Sequence, residues 1–362
     1  MHLNARTVRF TALANLRQQR PDGDATRELA RRARAIEAAG FDSISYAELL
    51  EGEVFAPLMV IAQATARIGL LSRVVSAFAR SPVLLASAAA WVDEAAGGRF
   101  TLGLGASVPH EAHEYLGVVV DRPAARMRDT LTILRALWGE DLPGVQRLPG
   151  GRIAYPGPVI QVESARADLL PRRRLPIYLA AAGPLMLRLA GELAEGVILE
   201  LTTPSYLRWA WTQIRQGAAR AGRDLSTFEV VVQGTWVDDR ATPEAAAGRQ
   251  RLLRFCITHC CDREFAPLWE HGGLKAEAQA VREAALQGDW HEAERRVEQL
   301  LWPRLAVRSG DQPSFWRWLE GHVAAGATTL ALPAEFTTLT GLTLAEARAR
   351  AQAVLPPRFP PP

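Results

Sequence analysis

A chain of 362 residues, 48% hydrophobic and 22% charged, has the composition of a folded globular protein and not of a disordered one. Its net charge of +3 rests almost wholly on arginine, Lys275 being the only lysine, and no basic patch with groove-reading partners stands out, so nucleic acid is not an expected partner. The absence of an apolar run of about 18 residues, of a basic-then-apolar leader and of a disulfide framework (only Cys256, Cys260 and Cys261) makes a membrane span unexpected and a cytoplasmic location expected.

Apolar runs and turn residues predict strands alternating with helices. Strand Thr7–Ala14 precedes helix Ala25–Ala39, which Gly40 stops. Strand Asp42–Glu48, helix Val54–Ala66 and a long strand Arg67–Ser76 follow, and Pro82 opens a helix reaching Ala96. Strand Arg99–Gly105 leads to helix Pro123–Leu137, with the stretch from Pro109 to Gly117 read as delaying the helix. Residues 139–176, rich in Pro and Gly, interrupt the rhythm as an insertion with β-like pieces at Arg152–Tyr155 and Val159–Glu163. Strand Pro176–Ala181, helix Pro184–Ala194, strand Gly196–Thr202, helix Pro204–Ala221 and strand Phe228–Val237 resume it. A helical region from Pro243 to Ala325 (257–325 as an insertion), strand Thr328–Leu332, helix Leu344–Val354 and a proline-rich tail at 356–362, expected to be disordered, complete the chain.

Eight strand–helix units predict an α/β fold, a (β/α)8 TIM barrel over residues 1–355, with an insertion after the fourth βα unit and a helical one before the eighth strand. A doubly wound sheet is the competing topology, because a strand count does not prove closure.

Function is sought at the carboxyl ends of the strands. The small-residue loop Gly105–Ala106–Ser107 leaves backbone N–H groups accessible to an anion, but Gly103, Gly105 and Val108 do not complete a Rossmann fingerprint. Ala182–Gly183 precedes the helix opened by Pro184, where free N–H groups and the dipole form a second anion-binding end. An ordinary turn competes at both places. Glu48 and Glu200 fall at predicted strand ends, where a carboxylate binds a hydroxyl or acts as a base; an ion pair with a nearby arginine is the competing reading. Arg80 is a candidate anion ligand or a loop arginine. His110 and His113 stand three apart, not the four of a zinc-protease helix, and the cluster Cys256–Cys261 reads as buried thiols, so no metal is assigned.

The ordered segments Gly40–Ser43, Arg80–Pro82, Ala88–Glu94, Gly97–Gly105, Arg122–Arg126, Ala180–Met186, Gln287–Trp290 and Ala325–Ala327 resemble the bacterial luciferase-like oxidoreductases, (β/α)8 barrels that use FMN or the deazaflavin coenzyme F420. Gly105–Pro109, Arg122–Pro123 and Ala182–Pro184 are most similar to the F420 branch that includes methylenetetrahydromethanopterin reductase-like enzymes. The resemblance implies F420, with FMN as the alternative. It places the cofactor's phosphate end on Gly105, Ala106, Ser107, Ala182 and Gly183, and its ring against Val74, Val75 and Ser76. It also implies a non-proline cis peptide bond at Arg73–Val74, a small-molecule substrate and a homodimer or larger assembly. Glu48 is the first candidate for polarising substrate or relaying a proton, Glu200 the second. Three departures from the family pattern stand out: Arg73 in place of a small residue, Glu48–Leu49 in place of an Asp–His pair, and Glu200–Leu201 in place of a neutral polar residue and an aromatic. The expected activity is hydride transfer between F420 and a small organic substrate. An FMN-dependent monooxygenase on the same fold and a non-catalytic ligand- or partner-binding barrel are the alternatives.

Overall fold

The computed structural model describes residues 7–14, 24–48 and 52–355, so Leu49 and the 356–362 tail lie outside the described residues. Eight strands carry the fold: β1 (Arg9–Leu13), β2 (Ser43–Tyr46), β3 (Gly69–Ser72), β4 (Phe100–Gly105), β5 (Ile177–Ala180), β6 (Gly196–Leu199), β7 (Glu229–Gln233) and β8 (Thr329–Pro333). Their hydrogen-bonded order runs β3–β2–β1–β8–β7–β6–β5–β4, and β3 pairs with β4 in turn, so the parallel sheet closes on itself as a (β/α)8 barrel. β6 is buried at all four positions and β8 at four of five, as befits strands covered on both faces.

The polypeptide divides into two compact units, Ala12–Ala180 with Leu189–Val197, and Met1–Thr11 with Ala181–Arg188 and Ile198–Pro362. In the first, prolines mark helix starts as the sequence predicts. Helix Pro82–Ala95 has Ser81 as N-cap, its side chain accepting from Val83 N–H, and buries Ala86, Ala89 and Ala90. Gly97 and Gly98 then take φ of 62° and 81°, left-handed backbone that an L-residue adopts at a cost, and turn the chain directly into β4. The predicted strand 67–76 is interrupted. β3 ends at Ser72, the Arg73–Val74 peptide bond is cis, and only Val75–Ser76 rejoins β4, in register Val75 with Leu104 and Ser76 with Gly105. The helix Pro109–Leu116 begins directly at Pro109, so the proline read as a delay is instead its first residue.

The insertion forms a three-stranded antiparallel sheet, Gln146–Leu148, Arg152–Pro156 and Gln161–Ala165. Two buried carboxylates from helices tie it down. Asp129 accepts from Tyr155 Oη, Val159 N and Ile160 N, each at 2.8 Å, and Asp93 accepts from Arg172 N at 3.0 Å. Burial outweighs these hydrogen bonds at Asp93 and raises its pKa.

In the second unit the predicted strand 228–237 is split at Gly234, where a Cβ would meet Trp236 Nε1 at 2.5 Å. The continuation, Thr235–Val237, pairs in parallel with Ala306–Arg308, a short strand inside the region read as wholly helical. No helix among the described residues is long and apolar enough to cross a membrane.

Candidate functional site

Chemically capable side chains gather at two strand ends, one in each unit. The first lies beyond β2 and β3. Glu48 is 3% exposed, and both of its oxygens are engaged: Oε1 pairs with Arg80 Nη1, and Oε2 accepts the Ser76 N–H at 2.5 Å. Arg80 reaches Glu53 Oε1 at 3.2 Å with its other Nη and lies 5.4 Å from the Phe55 ring centre. It therefore serves Glu48 and Glu53 within the protein, and the ion-pair reading of Glu48 is the one the geometry realises. A buried carboxylate retains its charge at tolerable cost only when paired and hydrogen-bonded in this way.

Beside that pair, Ser76 Oγ accepts from the Phe78 N–H at 3.2 Å and from Ser107 Oγ at 2.8 Å. Ser107 has φ of 63°, an uncommon conformation for a non-glycine residue and one often found at ligand-binding loops. Gly105 is required where it stands, because a Cβ there would lie 2.6 Å from Val74 Cγ2. Val74, Val75, Ser76, Gly105, Ala106 and Ser107 thus sit on paired, consecutive strand ends, with Glu48 bonded to the backbone of one of them. Sequence separation alone did not link Glu48 to Ser76, which is why the clamp was not foreseen.

The second cluster lies beyond β5 and β6. Ala182 and Gly183 are half-buried and lead into helix Pro184–Leu193, and Ala182 O accepts from Tyr206 Oη at 2.7 Å. Burial holds the Tyr206 phenol well above its ordinary pKa, so it remains a donor. A Cβ on Gly183 would meet nothing within 4 Å, leaving its backbone approachable.

Glu200 follows β6 with its side chain 37% exposed, and His259 Nε2, fully buried, stands 3.6 Å from its Oε1. Leu201 takes φ of 50° with its side chain buried. Thr202 Oγ1 is 3.1 Å from His322 Nε2, while His322 Nδ1 is 2.7 Å from Trp318 O. Burial lowers the His322 pKa, and in the neutral ring Nδ1 donates to Trp318 O while Nε2 accepts the Thr202 hydroxyl. Thr203 donates to Gly272 O at 3.1 Å and caps the next helix by accepting from Tyr206 N. Residues 200–203 are therefore held from three sides of the sequence. Neither histidine was legible as a partner of β6: His259 read as part of a thiol cluster, and His322 had no local motif at all.

Cys256 and Cys260 are buried, and desolvation pushes the Cys256 thiol up to about 12, so neither is a nucleophile near neutral pH. His110 and His113 are exposed on the short helix Pro109–Leu116.

A 5,10-methylenetetrahydromethanopterin reductase of Archaeoglobus fulgidus is 30% identical over 241 residues, 66% of this chain and 68% of the relative. The structure of the coenzyme F420-dependent tetrahydromethanopterin reductase from Methanopyrus kandleri matches with a TM-score of 0.69 at 20% identity, covering 98% of this chain and 99% of that one. An F420-dependent secondary alcohol dehydrogenase in complex with an F420-acetone adduct matches with a TM-score of 0.68 at 16% identity, covering 97% and 98%. At such identities the two structures establish the fold alone. The family model for luciferase-like monooxygenases matches residues 8–329, nearly the whole barrel, and the chain belongs to that family of oxidoreductases.

Proposed function

We propose that the protein is an F420-dependent oxidoreductase that transfers a hydride between the deazaflavin and a small organic substrate. The observation that carries this reading is the fit of Gly105 beneath Val74: a Cβ there would lie 2.6 Å from Val74 Cγ2, so only a residue without one lets the half-buried Val74 close over the end of β4, where it can back a ring. A relative of Mycobacterium tuberculosis, 32% identical over 228 residues and described as a putative coenzyme F420-dependent oxidoreductase, supports F420 over FMN. When bound, the deazaflavin supplies the hydride chemistry; the protein supplies orientation and a shaped pocket.

Within this reading Val74, Val75 and Ser76 back the ring, and Gly105, Ala106, Ser107, Ala182 and Gly183 offer backbone N–H groups to the phosphate end. Glu48 positions: with both oxygens engaged it fixes Ser76, and Ser76 fixes Ser107. Glu200, half-exposed on a pinned strand end, is the carboxyl suited to polarise the substrate or move a proton. Residues 1–355 form one catalytic domain in this account, cytoplasmic and assembled as a homodimer or larger.

Titration of the purified full chain with F420 and with FMN, followed by absorbance and fluorescence, tests the reading. Saturable binding of F420 in preference to FMN is expected. Tight binding of FMN alone would transfer the protein to the monooxygenase reading, which the family description also supports. Binding of neither would leave only the non-catalytic barrel.

A further inference from the structure

His259 is a buried imidazole with one nitrogen answered and one not. Nδ1 lies 2.8 Å from Phe255 O, four residues back on the same helix, and donates to it. That bond fixes the tautomer of the neutral ring and leaves a lone pair on Nε2. Nε2 has no hydrogen-bond partner among the described residues, although the ring is 0% exposed and a buried polar atom demands one. What faces it is Glu200 Oε1 at 3.6 Å. A lone pair opposite a carboxylate oxygen is repulsive. A single proton between them, on nitrogen or on oxygen, turns the same arrangement into a charge-assisted or acid–imidazole hydrogen bond.

We propose that Glu200 and His259 form a couple that holds one proton between them, with His259 the buried store and Glu200 the half-exposed end that exchanges the proton with a bound ligand. The ring is fixed for that task. Phe255 and Phe265 contact it at centroid distances of 3.9 Å, tilted by 45° and 44°, and the Trp269 indole donates to His259 O at 3.0 Å. The titratable groups beside it on its own helix, Cys256 and Cys260, are thiols that burial keeps neutral. The segment Arg263–Phe265 and helix Ala266–Gly272 present Phe265 and Trp269 to it. Among the described residues Glu200 is the one carboxylate within ion-pair distance of the ring. The backbone that carries the carboxyl is fixed as well, between the end of β6 and a left-handed Leu201 whose neighbour Thr202 is bound by His322.

The ligand chemistry that suits the couple is a carbonyl or hydroxyl oxygen on a small organic molecule. From the couple without its proton, the O–H bond of a bound hydroxyl breaks, Glu200 takes the proton and passes it to His259 Nε2, where an N–H bond forms; from the couple that holds its proton, that N–H bond breaks and an O–H bond forms on a bound oxyanion. His259 is a positioning residue, acting through Glu200. The couple rests on the proposed function only for the identity of what binds, since its proton is a property of the protein alone.

Full-length protein with 15N-labelled histidine tests it, by ring-nitrogen NMR together with infrared detection of carboxylic C=O, from about pH 8 to about pH 5.5. In the wild type a protonated His259 Nε2 signal or a carboxylic acid band should appear as pH falls, and Glu200→Gln should abolish it. His259→Gln assigns the ring signals; should that variant not fold, Glu200→Gln, altering a half-exposed group, keeps the test intact. His259 nitrogen signals that coincide in wild type and Glu200→Gln at every pH, with no carboxylic band lost, would overturn the couple. F420 titration of the same samples separates the outcomes, because failure to bind F420 removes the cofactor reading and leaves the proton result standing.

Discussion

Glu48 and Glu200 both follow a barrel strand, yet the protein treats them in opposite ways. Glu48 is 3% exposed, with a guanidinium on one oxygen and a backbone N–H on the other. Glu200 has a side chain 37% exposed, with a buried imidazole at 3.6 Å. Full engagement makes a carboxylate a fastener, since every lone pair spent on the fold is unavailable to a ligand. Partial exposure, at a strand end fixed by other residues, lets a carboxylate meet a ligand, which is the role proposed for Glu200. Strand-end position therefore nominates an acid, and its partners decide the role.

Substitutions sharpen the contrast. The largest effect is expected from Glu48→Ala, which leaves Arg80 with Glu53 alone, leaves the Ser76 N–H unanswered and removes one partner of a buried pair, a change that costs about 3 kcal/mol. Chemical denaturation should record it as a lowered midpoint, and a near-silent Glu48→Ala would end its role as a fastener. Gly105→Ala comes next: its Cβ would sit 2.6 Å from Val74 Cγ2, and such overpacking costs about 1–3 kcal/mol. F420 affinity should fall with it, and unchanged affinity would detach the cradle from the cofactor.

A smaller, pH-dependent effect belongs to the β6 end. Burial lowers the His322 pKa below its unfolded value. The unfolded state thus binds the proton first. Stability is full above the ordinary histidine value of about 6.5 and is lost as pH falls below it toward the folded value. Thermal melts at stepped pH should show this acid loss in wild type and a weaker one in His322→Gln. The smallest stability change is expected from Glu200→Gln, within about 0.5 kcal/mol for a half-exposed group. Its effect should appear in turnover; a loss of stability matching that of Glu48→Ala would erase the distinction between the two acids.

The barrel was largely legible from sequence because its signals are local. Pro82, Pro123, Pro184, Pro204 and Pro243 open helices where the sequence places them, and Gly97–Gly98 turns one helix into its strand. The breaks were harder to read. The 67–76 strand is broken at 73–74, where Val74 packs against distant Gly105, and the 228–237 strand at Gly234, which Trp236 and the distant Trp318 crowd. Ala306–Arg308 is too short to register against its helical surroundings, and becomes a strand by pairing with Thr235–Val237. The candidate site divides along the same line. Gly105–Ser107 and Ala182–Gly183 announce themselves by composition, whereas Arg80 on Glu48, His259 beside Glu200 and His322 on Thr202 are long-range meetings that no spacing rule encodes.

The most direct test of the central claim is a crystal structure of the full chain with F420. The account predicts the deazaflavin ring against Val74–Ser76, with the Glu48–Arg80 pair intact and making no contact with the ring. A ring seated elsewhere, or one reached by a Glu48 that has released Arg80, would contradict it.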